Sequence, residues 1–273
     1  MANKEVQEAK EVEEAEGVEE KNGGVAAFFD LDGTLISLPS LEKRFFSMLR
    51  YRKLIGMRSY ISWLMETVRL LPLGLNHVMH ANKMYLRGVS VQEGASLGVP
   101  AFNTEAIERV AWHAERGHLI VIVSGTLEML AKRAAREVEA VLGARGLACR
   151  IRICATRLEQ NDERWTGRAV GEVMFGEAKA RAIRRVAAEE GLDLRRCFAY
   201  GDSSSDLWML ESVGKPAAVN PSNDLGRIAT RNDWAVMRWG ERKNSTQRIR
   251  SARRSGEADH ELQIVRTKAG FRV

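Results

Sequence analysis

Short runs of apolar residues recur along the chain, and each run predicts a buried strand. The clearest runs are residues 25–30 (VAAFFD), 118–123 (HLIVIV) and 197–200 (CFAY). An unbroken apolar run is typical of a strand that is covered on both faces, as in a parallel sheet. Residues 149–155 alternate between apolar and polar positions, which favours a half-exposed strand. Further short strands are predicted at residues 216–220 and 234–237.

Between these runs, apolar residues recur at gaps of three and four, which predicts helices. The predicted helices span residues 104–117, 127–142 and 176–190, and each ends at or beside a glycine. A turn-rich stretch through Gly167 and Gly171 predicts a hairpin. Alternating strands and helices predict an α/β fold, a doubly wound parallel sheet with helices on both faces.

Residues 37–103 have a different pattern, with aromatic and aliphatic residues at helical spacing, and predict several short helices. This helical insertion would divide the α/β core into residues 23–36 and 104–240. The flanking residues 1–22 and 241–273 are rich in charge and lack large apolar periodicity, so we expect two disordered tails, the first acidic and the second basic.

The composition is that of a globular protein, with 273 residues, 45% of them hydrophobic, and a net charge of +6. The charges of the two tails cancel, and the excess lies in residues 37–103, which carry nine basic and three acidic side chains. Basic surfaces are typical of nucleic-acid or anionic-membrane contacts, but a basic insertion over a catalytic site explains this charge equally well.

Targeting signals are not evident in the sequence. No apolar run approaches the ~20 residues that a bilayer span needs, and the acidic N-terminus does not resemble a signal peptide. The three scattered cysteines, Cys149, Cys154 and Cys197, favour free thiols in a reducing compartment. We therefore expect a cytoplasmic protein.

Polar residues follow three of the predicted strands at the point where each strand ends. Asp30 and Asp32 follow the first strand, Ser124 follows the strand at 118–123, and Asp202 and Asp206 follow CFAYG. Ligands of such sheets bind beyond the carboxyl ends of the strands, so these side chains should converge on one crevice. Carboxylates that converge repel each other unless a cation neutralises them, and Mg²⁺ with a substrate phosphate fits that demand.

Each of these residues also has a purely structural interpretation. The Asp30–Thr34 segment alone is compatible with a simple turn, and Ser124 with the N-cap of the following helix. Lys179 is flanked by charged residues that are typical of a solvated helix face, and Asp206 is a possible helix cap. Their combination favours a functional site.

Four motifs in order resemble those of the haloacid dehalogenase-like (HAD) hydrolases, especially the phosphoserine phosphatase-like subfamily IB. They are FFDLDGTL (28–35), VIVSGT (121–126), Lys179 within GEAKARA, and GDSSSDLWML (201–210). The resemblance extends over roughly residues 25–238. It implies a Rossmann-like core with an all-helical cap at residues 37–103.

The resemblance also implies the chemistry. Asp30 would attack phosphorus to form an aspartyl-phosphate, and Asp32 would protonate the leaving group and then activate water. Ser124, the backbone amide of Gly125 and Lys179 would stabilise the phosphoryl oxygens.

The same resemblance implies a Mg²⁺ cofactor. Asp30, Asp202 and the backbone carbonyl of Asp32 would hold the ion, with Asp206 and Ser205 orienting these ligands from behind. Relatives that are dehalogenases or ATP-driven pumps lack a carboxylate at the position of Asp32. The sequence therefore favours a Mg²⁺-dependent phosphatase acting on a small phosphorylated metabolite.

Two alternatives remain open at this stage. In a phosphotransferase or mutase, the phosphoryl group would pass from the aspartyl-phosphate to a second hydroxyl. A non-catalytic relative would instead bind lipid or RNA through its basic cap or tail.

Two departures from the family pattern also make phosphoserine itself a doubtful substrate. Pro39, with Glu42 nearby, stands where phosphoserine phosphatases have a cap-side glutamate, and Ser205 stands where they tend to have asparagine.

The remaining polar and aromatic residues favour structural roles. His77 and His80 lie at helical spacing, but the absence of a nearby third ligand does not favour zinc. The Arg-rich stretch at residues 248–254 is typical of a basic tail. Core positions are predicted for four tryptophans, Trp63, Trp112, Trp165 and Trp208.

Overall fold

A computed structural model describes residues 23–240, and the predicted tails 1–22 and 241–273 lie outside the described residues. The described strands are β1 (Ala26–Phe29), β2 (Leu119–Leu127), β3 (Ile151–Thr156), β4 (Leu158–Asn161), β5 (Arg164–Ala169), β6 (Phe198–Gly201), β7 (Lys215–Val219) and β8 (Ala235–Met237). Six of them pair in parallel to form one sheet in the order β3-β2-β1-β6-β7-β8, while β4 and β5 form an antiparallel hairpin.

The described helices are α1 (Leu41–Tyr51), α2 (Met57–Leu70), α3 (Leu75–Ala81), α4 (Thr104–Ala114), α5 (Glu128–Gly143), α6 (Glu177–Glu190), α7 (Leu207–Glu211) and α8 (Asn223–Arg231). Short 3₁₀ turns occur at Leu71–Leu73, Met84–Leu86, Val91–Ser96 and Ser204–Asp206.

The central strand β1 buries side chains on both faces of the sheet, as the unbroken apolar run predicts. Phe29 stacks on Tyr200 of β6 with ring centroids 4.6 Å apart, on the face that α4 and α5 cover. Phe28 lies in the cluster on the opposite face, with Ile183 of α6 and Met209 of α7. The predicted doubly wound parallel sheet is therefore confirmed.

Two element boundaries differ from the prediction. Strand β2 runs through Ser124 to Leu127, with a register shift against β3 at this end, so Ser124 belongs to the strand and does not cap α5. The predicted hairpin is present, but it turns at Asp162 and Glu163, which both adopt positive φ. Gly167 lies within β5, where a Cβ would come within 2.9 Å of the Met84 Cα.

The prediction of core tryptophans is only partly correct. Trp165 is buried and Trp112 is partly buried, but Trp63 and Trp208 are each 40% exposed. Trp63 lies on α2 at the edge of the cavity described below, and Trp208 lies on the short outer helix α7. A single sequence does not show which helix faces remain uncovered, so the prediction is wrong for these two residues.

The insertion, residues 37–103, contacts the core through α1 and through the β4–β5 hairpin. Helix α1 buries Phe45 and Leu49 in the cluster on one face of the sheet. The backbone N–H of Gly88 donates to the Trp165 carbonyl at 2.8 Å, and the Trp165 N–H donates to the Val89 carbonyl at 3.0 Å. These strand-like bonds attach the far end of the insertion to the hairpin.

No helix in residues 23–240 combines the length and apolar character that crossing a membrane requires.

A buried histidine beneath the sheet predicts how stability depends on pH. The Nδ1 of His113 lies 2.8 Å from the Nδ1 of His118, and its Nε2 lies 2.9 Å from the Tyr200 hydroxyl. Burial, together with the neighbouring His118 and the positive charge of Arg109, lowers the pKa of His113 to about 3. The folded protein therefore keeps this imidazole neutral over a pH range in which the unfolded chain protonates it.

We expect the stability that His113 provides to be complete above its unfolded pKa of about 6.5 and to be lost as the pH falls toward 3. The loss should approach 1.4 kcal/mol for each pH unit, or about 2 kcal/mol between pH 7 and 5. Urea unfolding of the wild type and of His113→Phe at both pH values measures it. If the difference in free energy of unfolding between the wild type and His113→Phe does not change with pH, the low pKa of His113 is contradicted.

Candidate active site

Three buried or half-buried carboxylates meet at the carboxyl ends of β1 and β6. Asp30, Asp202 and Asp206 each offer an oxygen, and these oxygens lie within 4.8 Å of one another. Adjacent pairing of β1 with β6 brings them together, because parallel strands end at the same edge of the sheet. The predicted convergence on one crevice is therefore present.

Lys179 is the cation at the centre of this cluster. Its Nζ donates to Asp30 Oδ1 at 2.6 Å and to Asp206 Oδ1 at 2.5 Å, and all three side chains are almost completely buried. Burial alone would lower the pKa of the Lys179 ammonium, but Asp206 and Asp30 raise it above its ordinary value. Lys179 is therefore a charged internal partner of the acids, and the interpretation as a solvated helix face is excluded.

Asp206 fixes the turn that carries Asp202. Its Oδ2 accepts hydrogen bonds from the backbone N–H groups of Asp202 at 3.1 Å and Ser203 at 3.0 Å, and from the Ser203 hydroxyl at 3.1 Å. The Ser205 hydroxyl lies 2.8 Å from that of Ser203. With Lys179 on its other oxygen, the Asp206 carboxylate is fully engaged in positioning its neighbours.

The turn after β1 must approach Asp202 closely. Gly33 adopts φ +98°, and a Cβ at this position would overlap the Asp202 carboxylate. Only glycine adopts this backbone conformation without strain and leaves room for the carboxylate. The close approach of Asp202 therefore explains why glycine occupies this position of the DGT sequence. The sequence alone does not show this contact.

Asp32 is not part of this cluster and is bonded to the insertion. One of its carboxylate oxygens accepts a hydrogen bond from the backbone N–H of Leu41, the first residue of α1, at 2.8 Å. Burial raises the pKa of Asp32 to about 6, although the Leu41 bond lowers it. A carboxyl group with a pKa near neutrality can both donate and accept a proton at physiological pH.

The electrostatics of the cluster indicate a shortage of positive charge. Burial raises the pKa of Asp30 well above its ordinary value, although Lys179 opposes the shift. Burial and the charge of Asp206 raise the pKa of Asp202 to about 7. Three acids thus share one ammonium, which leaves excess negative charge. Their carboxylate oxygens are the kind of ligands that a divalent cation requires.

Polar groups of β2 lie at the same end of the sheet. Ser124 is buried, and its Oγ accepts a hydrogen bond from the backbone N–H of Thr126 at 3.2 Å. The buried Thr126 hydroxyl has no hydrogen-bond partner among the described residues. Ser124, Gly125 and Thr126 all line the same cavity as the acids. An unpaired buried hydroxyl beside the acids is a group that a ligand would satisfy.

The cavity has a volume of about 610 Å³ and lies between the sheet edge and the insertion. Its floor includes Asp30, Asp32, Asp202, Lys179, Ser124 and Ser205, while Asp206 lies behind it and does not line the cavity. On the insertion side, Glu42 is held by Lys83 at 2.5 Å and by the Tyr85 hydroxyl at 2.6 Å. The apolar and aromatic lining residues are Leu38, Phe46, Tyr60, Trp63, Val78, Met79, His80, Tyr85, Met174 and Phe175.

The sequence did not indicate several of these wall residues. Lys83 and Tyr85 lie more than forty positions from Glu42, and no local spacing links them. His80 stacks on Phe175 with ring centroids 3.9 Å apart, and burial lowers its pKa to about 4. The side chain of His77 lies outside the described part of the chain. Among described residues, the candidate metal group consists of the three aspartates and does not include His80.

Comparison with known proteins identifies similar chains. The sequence model of the haloacid dehalogenase-like hydrolase family matches residues 27–211. The chain is 35% identical over 229 residues to the inhibition of morphological differentiation protein of Streptomyces azureus, covering 78% of this chain and 77% of that protein. It is 32% identical over 226 residues to phosphoserine phosphatase SerB1 of Mycobacterium tuberculosis, covering 77% and 70%.

Solved structures agree with this similarity. A protein of unknown function from Bordetella pertussis Tohama I is 28% identical, with a TM-score of 0.62 over 79% of this chain and 98% of that chain. A phospho-aspartyl intermediate analogue of phosphoserine phosphatase has a TM-score of 0.52 at 18% identity, over 84% and 98%. The second likeness shows the fold alone.

Replacement of Gly33 tests the close approach of the two turns. We expect Gly33→Ala to lower the free energy of unfolding by about 1–3 kcal/mol, because the methyl group displaces Asp202 and the backbone is strained. The matched control is Gly143→Ala, at the end of α5, where a Cβ meets no atom within 4 Å. Equal stability of both variants in urea unfolding would contradict the steric argument.

Proposed function

Because the chain belongs to the haloacid dehalogenase-like hydrolase family and is a phosphatase resembling phosphoserine phosphatases, we propose that it hydrolyses a small phosphomonoester through an aspartyl-phosphate formed on Asp30. The observation that carries this proposal is the buried cluster of Asp30, Asp202 and Asp206 around Lys179. Asp32 lies two residues after the nucleophile, at the same cavity.

The residues present fit a Mg²⁺ cofactor. Asp30 and Asp202 would hold the ion with the backbone carbonyl of Asp32, while Asp206 is engaged in fixing the turn. The raised pKa values of Asp30 and Asp202 indicate that a further positive charge would stabilise the cluster. When bound, Mg²⁺ would neutralise these carboxylates and the charge on the transferring phosphoryl group.

Asp30 would act as the nucleophile. Lys179 occupies Oδ1, which leaves Oδ2 free of that bond. Attack of Oδ2 on phosphorus forms a new P–O bond as the bond to the leaving oxygen breaks. Water then attacks the aspartyl-phosphate, which releases inorganic phosphate and restores the Asp30 carboxylate.

Asp32 would supply and recover the proton. In its protonated form it gives the proton to the departing alkoxide, and as a carboxylate it then takes one from the attacking water. Its pKa of about 6 makes both forms accessible near neutral pH. The hydrogen bond from Leu41 ties this carboxylate to the start of the insertion, so closing of the insertion and placement of the acid would be coupled.

The phosphoryl oxygens would contact the floor of the cavity. The Ser124 hydroxyl, the unpaired Thr126 hydroxyl and the backbone amide of Gly125 lie at the end of β2. Lys179, held against Asp30, would place positive charge beside the reacting group. Fixed donors of this kind stabilise developing charge without having to reorganise.

We extend the proposal to domain organisation and location. Residues 37–103 would act as a helical cap that covers the cavity and excludes water. Within residues 23–240, Cys149, Cys154 and Cys197 are free thiols, which supports a reducing, cytoplasmic location.

Replacement of the nucleophile is the direct test. We expect purified protein to hydrolyse para-nitrophenyl phosphate with Mg²⁺ and not with EDTA, and Asp30→Asn to lower the rate about a thousandfold or more. Asp224→Asn, on the exposed surface of α8, is the control and should retain the wild-type rate. Thermal melts of both variants exclude unfolding as the cause. An Asp30→Asn protein with wild-type turnover would refute the assignment of the nucleophile.

A change at Asp32 tests the role of the acid separately. Nitrophenolate leaves without a proton, whereas an alkoxide needs one. We therefore expect Asp32→Asn to slow cleavage of an alkyl phosphate by about 10²–10⁴-fold. With the aryl phosphate, the variant should still release a rapid burst of nitrophenolate before turnover stalls. Equal slowing of the burst and of alkyl cleavage would argue against a proton donor at this position.

A further inference from the structure

Helix α2 exposes a continuous apolar stripe on the surface of the insertion. Five of its residues recur at spacings of four, three, one and three, which places them on one face of the helix. They are between 53% and 74% exposed. The stripe consists of Met57, Ile61, Leu64, Met65 and Val68.

The inner side of the same helix buries Ser59 and Leu70 and also makes polar contacts. The Ser59 hydroxyl donates to the Arg87 carbonyl at 2.8 Å. The Asn82 amide donates to the Trp63 carbonyl at 2.8 Å and to the Thr67 hydroxyl at 2.9 Å. A helix on the surface of a globular protein normally buries its apolar residues, whereas α2 leaves this stripe exposed. Because its residues are more than half exposed, the stripe contributes little hydrophobic stabilisation within the described residues.

The apolar surface continues beyond α2. The Leu71–Leu73 turn and α3 add four residues that are between 50% and 70% exposed, Leu71, Leu73, Leu75 and Met79. Single exposed apolar residues are ordinary, but a contiguous group of this extent marks an interaction surface. We call these nine residues the apolar face.

The insertion that carries the apolar face has an excess of positive charge, with nine basic and three acidic side chains. Each of the three acids of the insertion is paired within it: Glu42 with Lys83, Glu66 with Arg69, and Glu93 with Arg52. Lys43, Lys53 and Arg58 form no ion pair with an acid in the described part of the chain, and Arg58 belongs to α2 itself. An apolar face on a segment with an excess of cations complements the surface of an anionic lipid bilayer.

We propose that the apolar face docks on an anionic lipid surface, and that the substrate is a phosphomonoester of that surface which carries an alkyl chain. This inference rests on the proposed phosphatase function. A second protein copy would complement the apolar residues of the face but would bring the same net positive charge. The unpaired cations therefore favour an anionic bilayer as the occupant.

The cavity supports the same class of substrate, because α2 borders both surfaces. Tyr60 and Trp63 of α2 line the cavity together with Met79, and Met79 also belongs to the apolar face. An alkyl chain can therefore follow a continuous apolar path from the outer surface to the acids. A volume of about 610 Å³ is sufficient for a phosphate with an attached chain.

The polar groups of the insertion do not offer an alternative partner for the alcohol part of the substrate. Both oxygens of Glu42 are bonded to Lys83, and one also accepts the Tyr85 hydroxyl. This ion pair is satisfied internally, so binding the ammonium and carboxylate of an amino acid would require it to open. An apolar ester group meets the aromatic wall without that cost.

Vesicle binding and chain-length preference test the proposal on the full chain. We expect the protein to sediment with vesicles of roughly equal parts phosphatidylcholine and phosphatidylglycerol, and about tenfold more weakly with phosphatidylcholine alone. We expect kcat/KM for dodecyl phosphate to exceed that for ethyl phosphate by about tenfold or more.

The test variant replaces four residues of the stripe by glutamine, Ile61→Gln, Leu64→Gln, Met65→Gln and Val68→Gln. It should lose vesicle association about tenfold or more and keep the rate on para-nitrophenyl phosphate, because these exposed side chains do not line the cavity. The control carries Val141→Gln, Val170→Gln and Val236→Gln, three exposed positions outside the insertion, and should still bind vesicles. All three proteins retain residues 241–273, so a difference between them reports on α2.

The outcomes separate this inference from the proposed function. Aryl phosphate hydrolysis without vesicle association or chain-length preference overturns the inference and leaves the phosphatase assignment intact. Absence of hydrolysis of any phosphate ester refutes the assignment itself. Vesicle association that the stripe variant keeps would assign binding to another surface. A wild-type dimer that the stripe variant dissociates, with no vesicle association, would identify a second copy as the occupant.

Discussion

The buried ammonium of Lys179 is the interaction on which the arrangement of the site depends. Its Nζ lies 2.6 Å from Asp30 and 2.5 Å from Asp206, and both carboxylates are almost completely buried. Loss of one member of such a buried group leaves an uncompensated charge and typically costs about 3–5 kcal/mol. The sheet supports this arrangement because β1 and β6 are hydrogen-bonded neighbours, which fixes the separation of the turns that follow them.

The same constraint determines the local structure around the acids. Asp206 holds the Asp202 turn through two backbone N–H groups, and Gly33 permits the neighbouring turn to approach it. These contacts keep like charges close together, which raises the pKa of Asp202 to about 7 by burial and by the charge of Asp206. A site that concentrates negative charge in this way is poised for a divalent cation and a phosphate rather than for maximal stability.

Two contacts connect the insertion to the acidic residues, one through a hydrogen bond and the other through an aromatic wall of the cavity. At one, the backbone N–H of Leu41 donates to Asp32, which links the first helix of the insertion to this acid. At the other, Tyr60 and Trp63 extend an aromatic wall from α2 toward the floor of the cavity. Helix α2 also leaves its apolar stripe exposed, an arrangement that contributes little to folding and fits the external apolar partner proposed above.

The sequence by itself determined the α/β sheet and the convergence of Asp30, Ser124 and Asp202, because unbroken apolar runs end at these residues and parallel strands end at one edge. It did not determine the partners of these groups. The contact of Lys179 with Asp30 joins residues 149 positions apart, and the Glu42–Lys83 pair joins residues 41 positions apart. Such contacts depend on how helices pack over the sheet, which no local spacing encodes. For the same reason, the outward orientation of the apolar side of α2 was decided only by the tertiary structure.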